Sequence, residues 1–183
     1  MYEVEIKAKL RDRNFVVEKL ESLGCYFGDE LHQVDSIFIP KDVVFPPPLG
    51  VPVLRVRKQN GKSFFTLKVP QSNKQDCIER ELEISDGDKM IESFHLMGYK
   101  QVPTVDKKRI KTNYKDMEIV LDNVDKLGEF IEVERVVENT DPEERKQIQQ
   151  ELFAFLAELG IAEEDYIIDG KYDIMLFDKF GME

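Results

Sequence analysis

The chain has few of the residues that build the commonest metal and disulfide sites. Its 183 residues include only two cysteines and two histidines. Cys25 and Cys77 lie at no spacing that is typical of a metal site, so we expect two reduced thiols with a structural role. His32 and His95 lie in no arrangement of cysteines or carboxylates, so we expect both to be structural or surface residues.

Positive charge and long apolar segments are also scarce. The chain has 37 acidic and 26 basic residues and a net charge of −11, which is unfavourable for binding nucleic acid. A small polyanion bound by a local basic cluster is compatible with this charge. No apolar run has the length of a membrane span, and the charged N-terminus is unlike a signal peptide. We therefore expect a cytoplasmic protein without nucleic-acid or membrane partners, folded as one domain over residues 1–183.

The N-terminal segment alternates charged and apolar residues with the period of a β-strand. Between Tyr2 and Leu10, the charged positions Glu3, Glu5, Lys7 and Lys9 would share one face of the strand. For a single strand of this kind, the solvated face of an antiparallel sheet is the more common explanation. Later segments repeat the pattern, however, and together they predict a closed sheet with a charged interior.

Apolar residues at helical spacing follow three of these strands. Each helical segment begins with an aspartate that can cap it and ends at a glycine. The predicted helices are residues 13–23, from Asp86 or Asp88 to Gly98, and from Asp141 to Gly160.

The remaining strands complete the predicted sheet. Asn60-Gly61 is typical of a hairpin turn, and the proline-rich segment 40–52 predicts a loop. With roughly eight strands and three main helices, the pattern predicts an α+β fold: an eight-stranded antiparallel β-barrel with flanking helices. The strands after the first are expected near residues 32–39, 54–57, 64–68, 79–84, 105–114, 117–124 and 130–134.

If these strands close, their charged side chains meet in one cavity. Burying a charge without a partner costs several kcal/mol per ion, so the side chains must pair with one another or with ligands. Two interpretations fit equally well: a network of salt bridges without a ligand, or a site in which carboxylates bind Mg²⁺ or Mn²⁺ and bases bind phosphate. The acids are Glu3, Glu5, Glu81, Asp122, Glu132 and Glu134, and the bases are Lys7, Lys9, Arg55, Arg57, Lys68, Lys107 and Arg109.

The order of these motifs resembles the CYTH family. Its members are the triphosphate tunnel metalloenzymes, which include class IV adenylate cyclases and thiamine triphosphatases. The motifs that carry the resemblance are Glu3-x-Glu5-x-Lys7, Arg55-x-Arg57, Thr66-Leu67-Lys68, Glu79-x-Glu81-x-Glu83, Lys107-x-Arg109, Leu121-Asp122-x-Val124, Leu127-Gly128-x-Phe130-x-Glu132-x-Glu134 and Tyr172.

The resemblance implies a tunnel that binds Mg²⁺ or Mn²⁺ and a small triphosphate such as ATP, thiamine triphosphate or tripolyphosphate, and it is compatible with a homodimer. The implied catalytic residues are Lys7, Arg57 and Tyr172. The implied metal ligands are Glu3, Glu5, Asp122, Glu132 and Glu134. The implied phosphate-binding residues are Lys7, Lys9, Arg55, Arg57, Lys68, Lys107 and Arg109.

The resemblance leaves the reaction open. Likeness to the class IV branch favours conversion of ATP to cyclic AMP and pyrophosphate, and hydrolysis of thiamine triphosphate or tripolyphosphate is the close alternative. A module that binds nucleotide or polyphosphate without turnover is the alternative of another class. The chain also departs from the family pattern, because Cys77 stands where a base is expected and Lys171 stands where a serine commonly precedes Tyr172.

Overall fold

The computed structural model describes residues 2–74, 76–138, 141–168 and 170–182. Strands and helices alternate along the chain much as the residue patterns predict. The strands are β1 (Tyr2–Lys9), β2 (Leu31–Pro40), β3 (Val53–Gln59), β4 (Lys62–Pro70), β5 (Asp76–Ile84), β6 (Tyr99–Gln101), β7 (Val105–Tyr114), β8 (Met117–Val124), β9 (Gly128–Val137) and β10 (Tyr166–Ile167). The helices are α1 (Arg13–Ser22), α2 (Gly87–Leu96), α3 (Pro142–Glu158) and α4 (Tyr172–Phe180), with a 3₁₀ turn at Glu163–Asp165.

The eight long strands form a closed antiparallel ring. Their order is β1-β5-β4-β3-β2-β7-β8-β9, and β9 pairs again with β1. The first strand closes the ring because it pairs with β9 along its whole length and with β5 over Tyr2 to Val4. The predicted α+β fold with an eight-stranded antiparallel ring is thus confirmed.

Two short strands extend the ring at its edges. β6 pairs with the last residues of β2. β10 pairs with β1 at Lys7 and Ala8, beyond the point where β5 leaves β1. The chain therefore reaches α4 from the place where the seam between β1 and β5 has ended.

Both faces of the first strand are used, and this explains its strict alternation. Val4, Ile6 and Ala8 point out of the ring and are fully buried under α1 and α3, against residues such as Leu20 and Leu152. Glu3, Glu5 and Lys7 point inward and line the central cavity. Two apolar clusters lie outside the ring, between the sheet and α1, α2 and α3. A third packs α4 against inward-facing strand residues such as Ile37 and Val105, which also line the cavity. The interior of the ring therefore holds an apolar cluster as well as the charged residues.

The predicted helix starts are correct for the first three helices. The carboxylate of Asp12 accepts a hydrogen bond from the Phe15 backbone N–H, and Asp86 and Asp141 cap α2 and α3 in the same way. The fourth helix was not predicted. It begins after Lys171, whose side chain makes no capping hydrogen bond, so the signal that revealed the other three helices is missing there.

The Asn60-Gly61 turn joins β3 and β4 as predicted. Both residues have positive φ angles, 49° and 77°, and the flanking residues Gln59 and Lys62 pair directly. This tight turn fixes the register that places Arg55 opposite Thr66.

None of the described helices is both long enough and apolar enough to cross a membrane.

A buried ion pair links α3 to β5 at the short seam of the ring. Arg145 Nε donates to Asp76 Oδ1 at 2.7 Å, and both side chains are buried. The guanidinium of Arg145 also lies 4.3 Å from the centre of the Tyr2 ring. Because Asp76 pairs with Val4 on β1, this contact stabilises the place where the sheet closes.

We expect Arg145→Met to lower the free energy of unfolding by about 3 kcal/mol, because it leaves the Asp76 carboxylate buried without its charged partner. Urea denaturation measures this loss. The matched control is Arg135→Met, since Arg135 pairs with the exposed carboxylates of Asp116 and Glu151 and its loss should cost less than about 1 kcal/mol. Equal losses in the two variants would contradict the role of the buried pair.

Candidate active site

The ring encloses a cavity of about 390 Å³. Strand residues form most of its wall, and the remainder is the α4 wall, which consists of Lys171, Tyr172 and Asp173. Acidic and basic side chains line it in nearly equal numbers. The acids are Glu3, Glu5, Asp35, Glu79, Glu81, Glu118, Glu132, Glu134 and Asp173, and the bases are Lys7, Arg55, Arg57, Lys68, Lys107, Arg109, Lys111 and Lys171.

Three of the predicted metal ligands form one group. Glu3 and Glu5 lie two apart on β1 and face the same side, and Glu134 on β9 pairs directly with Glu5. One carboxylate oxygen from each residue lies within 4.8 Å of the other two. Oxygen ligands in this arrangement suit a hard divalent cation.

Repulsion and burial make this acidic group costly without a cation. Burial and the nearby carboxylates of Glu118 and Glu5 raise the pKa of Glu134 to about 7. Burial also raises the pKa of Glu3 well above its ordinary value, although the ammonium of Lys68 opposes the shift. A bound cation would favour the charged form of Glu3 and Glu134.

The other two predicted metal ligands, Asp122 and Glu132, lie apart from this group and bind bases. Asp122 accepts hydrogen bonds from Arg109 Nε at 2.6 Å and from Lys107 Nζ at 3.0 Å. Glu132 pairs with Lys7 at 3.1 Å and with Arg109. Because these bases already occupy both carboxylates, the structure does not bring the five predicted ligands to a single metal site.

The bases on β3 and β4 are also held by carboxylates. Arg57 donates through Nε and Nη2 to the two oxygens of Asp35, at 2.7 and 2.8 Å. Lys68 pairs with Glu79, and its ammonium lies 3.5 Å from Glu3. Each base is therefore fixed in direction before any ligand arrives.

Arg55 is held by a neighbouring hydroxyl as well as by a carboxylate. Its Nη2 donates to Thr66 Oγ1 at 2.9 Å and to Glu81 at 3.0 Å. The Thr66 hydroxyl in turn donates to Glu81. The alternation of Arg55 with Arg57 and of Thr66 with Lys68 correctly predicted that these side chains share the inner face.

Tyr172 packs beneath two of the bases. Lys7 Nζ lies 3.9 Å and Lys107 Nζ 5.0 Å from the centre of its ring, within range of a cation–π interaction. Burial and the negative charges of Glu132 and Asp122 raise the pKa of its hydroxyl well above the ordinary value. The hydroxyl is therefore a proton-bearing donor at neutral pH.

Lys9 corrects the prediction made for the first strand. Its side chain is exposed and lines a smaller second cavity beside Arg11 and Asp12, away from the central one. The alternation continues to the end of β1, but Lys9 lies beyond the charged cavity at the last residue of the strand. Of the predicted phosphate-binding residues, Lys7, Arg55, Arg57, Lys68, Lys107 and Arg109 do line that cavity.

Several lining residues were missed in the sequence. Asp35 alternates with Gln33 and Ile37 on β2, which is a signal that could have placed it inside. Lys111 and Glu118 form an ion pair of 2.6 Å between β7 and β8. Of the α4 wall, Tyr172 was expected from the family resemblance, whereas Lys171 and Asp173 had no signal, because no predicted element contained them.

Comparisons with known proteins agree with this geometry. The CYTH domain model matches residues 1–170. A relative from Methanocaldococcus jannaschii, named "Putative adenylate cyclase", is 35% identical over 169 residues, which cover 91% of this chain and 94% of the relative.

Solved structures share the fold. A protein from Pyrococcus horikoshii OT3 has a TM-score of 0.76 and 30% identity, and the match covers 95% of this chain and 98% of that chain. A Hippeastrum protein is described as a "Putative adenylyl cyclase" that "reveals a dominant" triphosphatase activity. Its TM-score is 0.59 at 18% identity, with 98% of this chain and 96% of that chain covered, and this likeness concerns the fold alone.

Enclosing positive charge in the cavity lowers the free energy of unfolding, and this cost can be measured at Lys107. Burial, and then the positive charge of Arg109, lower the pKa of Lys107 from 10.5 to about 8 despite its contact with Asp122. Between these pH values the unfolded chain binds the proton that the folded chain has lost, so the free energy of unfolding rises with pH. The charged lysine therefore destabilises the free protein below pH 8.

We expect Lys107→Met to be more stable than the parent protein at pH 7, with the difference shrinking towards pH 10. Thermal unfolding across this pH range, with the exposed Lys146→Met as the control, measures it. A difference between Lys107→Met and the parent that does not change with pH would contradict the account.

Proposed function

Because this chain belongs to the CYTH domain family, we propose that it is a divalent-metal-dependent enzyme that acts on the triphosphate group of a small molecule. The reaction proposed first is conversion of ATP to cyclic AMP and pyrophosphate. The observation that supports this proposal most directly is the position of three clustered carboxylates. Those of Glu3, Glu5 and Glu134 lie in the same cavity as six of the predicted phosphate-binding bases, all of which face inward.

The balance of charge favours a substrate that brings both signs. A free polyanion would be repelled by the lining carboxylates, and a free cation would be repelled by the lining bases. A triphosphate bound to a divalent cation offers a partner to each set, and it adds less net charge than the free triphosphate would to a cavity where unpaired charge is costly.

The acidic group fits Mg²⁺ or Mn²⁺. Glu3, Glu5 and Glu134 supply hard oxygen ligands from two adjacent strands, and the raised pKa values of Glu3 and Glu134 indicate carboxylates that lack a sufficient positive partner. When bound there, the ion would supply positive charge to phosphate oxygens and to the attacking oxygen.

The bases would bind the phosphates from fixed positions. Asp35 holds Arg57, and Asp122 and Glu132 hold Arg109, so these guanidinium groups need little reorganisation when a ligand enters. Lys7 lies between Glu132 and the Tyr172 ring, which fixes its ammonium beside the acidic group. We assign Lys7 and Arg57 to charge stabilisation in the transition state, and Tyr172 to positioning Lys7.

The cyclase reaction requires the ribose 3′-hydroxyl to attack the α-phosphate, with pyrophosphate as the leaving group. Its support is the 35% identity to the archaeal relative, whose name carries this activity. The inner wall contributes the charge that the leaving pyrophosphate needs.

Hydrolysis of the terminal phosphate is the second candidate, and one feature of the wall favours it. Few uncharged side chains line the cavity, and Tyr172, whose ring is the only aromatic one among the described lining residues, is already covered by Lys7. Such a wall offers little surface on which a base could stack, whereas tripolyphosphate has no base to place. The Hippeastrum protein of the same fold is described by this activity.

Product analysis separates the candidates. We expect turnover of ATP to cyclic AMP and pyrophosphate with Mg²⁺ or Mn²⁺, and none with excess EDTA, when ATP, thiamine triphosphate and tripolyphosphate are each supplied. Orthophosphate without cyclic AMP would replace the cyclase by the triphosphatase. Tight binding of tripolyphosphate without any product would indicate a binding module.

Single variants test the division of labour. Glu5→Gln removes a charge from the acidic group and Arg57→Met removes a base, and each should lower kcat by about 100-fold or more. Lys146→Met on the exposed side of α3 is the control and should retain full activity. Higher Mn²⁺ should partly restore Glu5→Gln and leave Arg57→Met unchanged, and restoration of both would contradict the separate roles.

A further inference from the structure

Lys171 differs from every other base that lines the central cavity. Each of the others has a carboxylate oxygen within 4.0 Å. In the described parts of the chain, Lys171 has no such partner, and its ammonium instead donates to the Cys77 thiol at 3.4 Å. The paired bases are Lys7, Arg55, Arg57, Lys68, Lys107, Arg109 and Lys111.

The Cys77 side chain faces into the ring beside the acidic group. Cys77 pairs directly with Glu3 across β1 and β5, so the two residues share a face, and it lies two positions before Glu79 on the same strand. The thiol also donates to the Lys74 carbonyl oxygen at 3.3 Å. Because its S–H is used there, its sulfur lone pairs can accept from Lys171.

A thiol is a weak acceptor, so this contact holds the ammonium without neutralising it. Asp173, the acid of the same wall, is buried, and the charge of Lys171 only partly offsets the rise in its pKa that burial causes. The half-buried Lys171 therefore has donor capacity that no described carboxylate uses.

Two further features of the α4 wall favour an anion. Lys171 is the N-cap of a nine-residue helix, whose N-terminus carries a partial positive charge. The Tyr172 hydroxyl is buried and lines the cavity beside the Glu132 carboxylate, its potential acceptor, and it makes no hydrogen bond of ordinary geometry in the described residues. An ammonium with no described carboxylate within 4.0 Å, a buried hydroxyl and a helix start thus lie together on one wall.

On this arrangement we propose that Lys171 is a substrate-binding residue that contacts a phosphate oxygen at the α4 wall, and that Cys77 is the residue that positions it. The inference rests on the proposed function, because it assigns a further contact to the same triphosphate. Strand β5 has no inward-facing base at position 77, and the ammonium of Lys171 on α4 would supply positive charge to that wall instead.

Binding of sodium tripolyphosphate, measured by calorimetry without metal and again with Mn²⁺, tests the proposal. Loss of one charged contact predicts about tenfold to hundredfold weaker binding for Lys171→Met, with partial recovery in Lys171→Arg. Cys77→Ser keeps a small acceptor and should bind like the parent, whereas Cys77→Val should weaken binding about threefold, because an unheld lysine must be ordered on binding.

The pattern across variants separates the two proposals. If the parent protein neither binds nor turns over any of the triphosphates, the proposed function fails. If the parent binds tripolyphosphate and Lys171→Met binds it equally well, the inference about Lys171 is wrong and the proposed function stands. Equal loss in Cys77→Ser and Cys77→Val, with both variants folded by circular dichroism, would overturn the positioning role of Cys77.

Discussion

The structure depends on enclosing charges of both signs in one cavity, where many of the charged side chains are buried. An ion buried alone loses several kcal/mol of hydration, and it recovers that loss only from close partners. The inner wall meets this constraint by pairing Arg57 with Asp35, Arg109 with Asp122 and Glu132, and Lys68 with Glu79. The pairing compensates only partly the group of Glu3, Glu5 and Glu134, where Lys68 lies 3.5 Å from Glu3, and it gives Lys171 no described carboxylate partner. These are the positions at which a ligand has the most to offer.

Apolar packing on the outer face of the ring offsets the free-energy cost of the charged interior. Strands such as β1 present charged residues inward and Val4, Ile6 and Ala8 outward, where α1 and α3 cover them completely. Burial of apolar area on the outside is the main favourable term in the free energy of folding. The helices therefore have a functional consequence although none of α1, α2 and α3 contributes a residue to the cavity wall: they stabilise a ring whose interior is costly. Among the described helices, only α4 has residues in both the apolar core and the wall.

Much of this could be predicted from the sequence, because a strand's period of two assigns each residue to a face. The inward positions of Glu5, Arg57 and Lys68 follow from that period alone, and the caps Asp12, Asp86 and Asp141 give the helix starts. Periodicity does not say where along a strand the cavity ends, so Lys9 was placed inside. It also does not say which acid faces which base, since cross-strand register decides that Asp122 and Glu132 meet Arg109.

The α4 wall was beyond the reach of the same reasoning. Its helix has no capping side chain, and the contact of Lys171 with Cys77 joins residues 94 positions apart. Such a contact depends on where β10 directs the chain after the seam between β1 and β5 ends.

The most direct test of the central claim is the anomalous diffraction of a crystal grown with Mn²⁺ and a non-hydrolysable ATP analogue. The account predicts manganese bound by Glu3, Glu5 and Glu134 with the phosphates inside the ring. Manganese at the surface, or phosphates outside the ring, would contradict it.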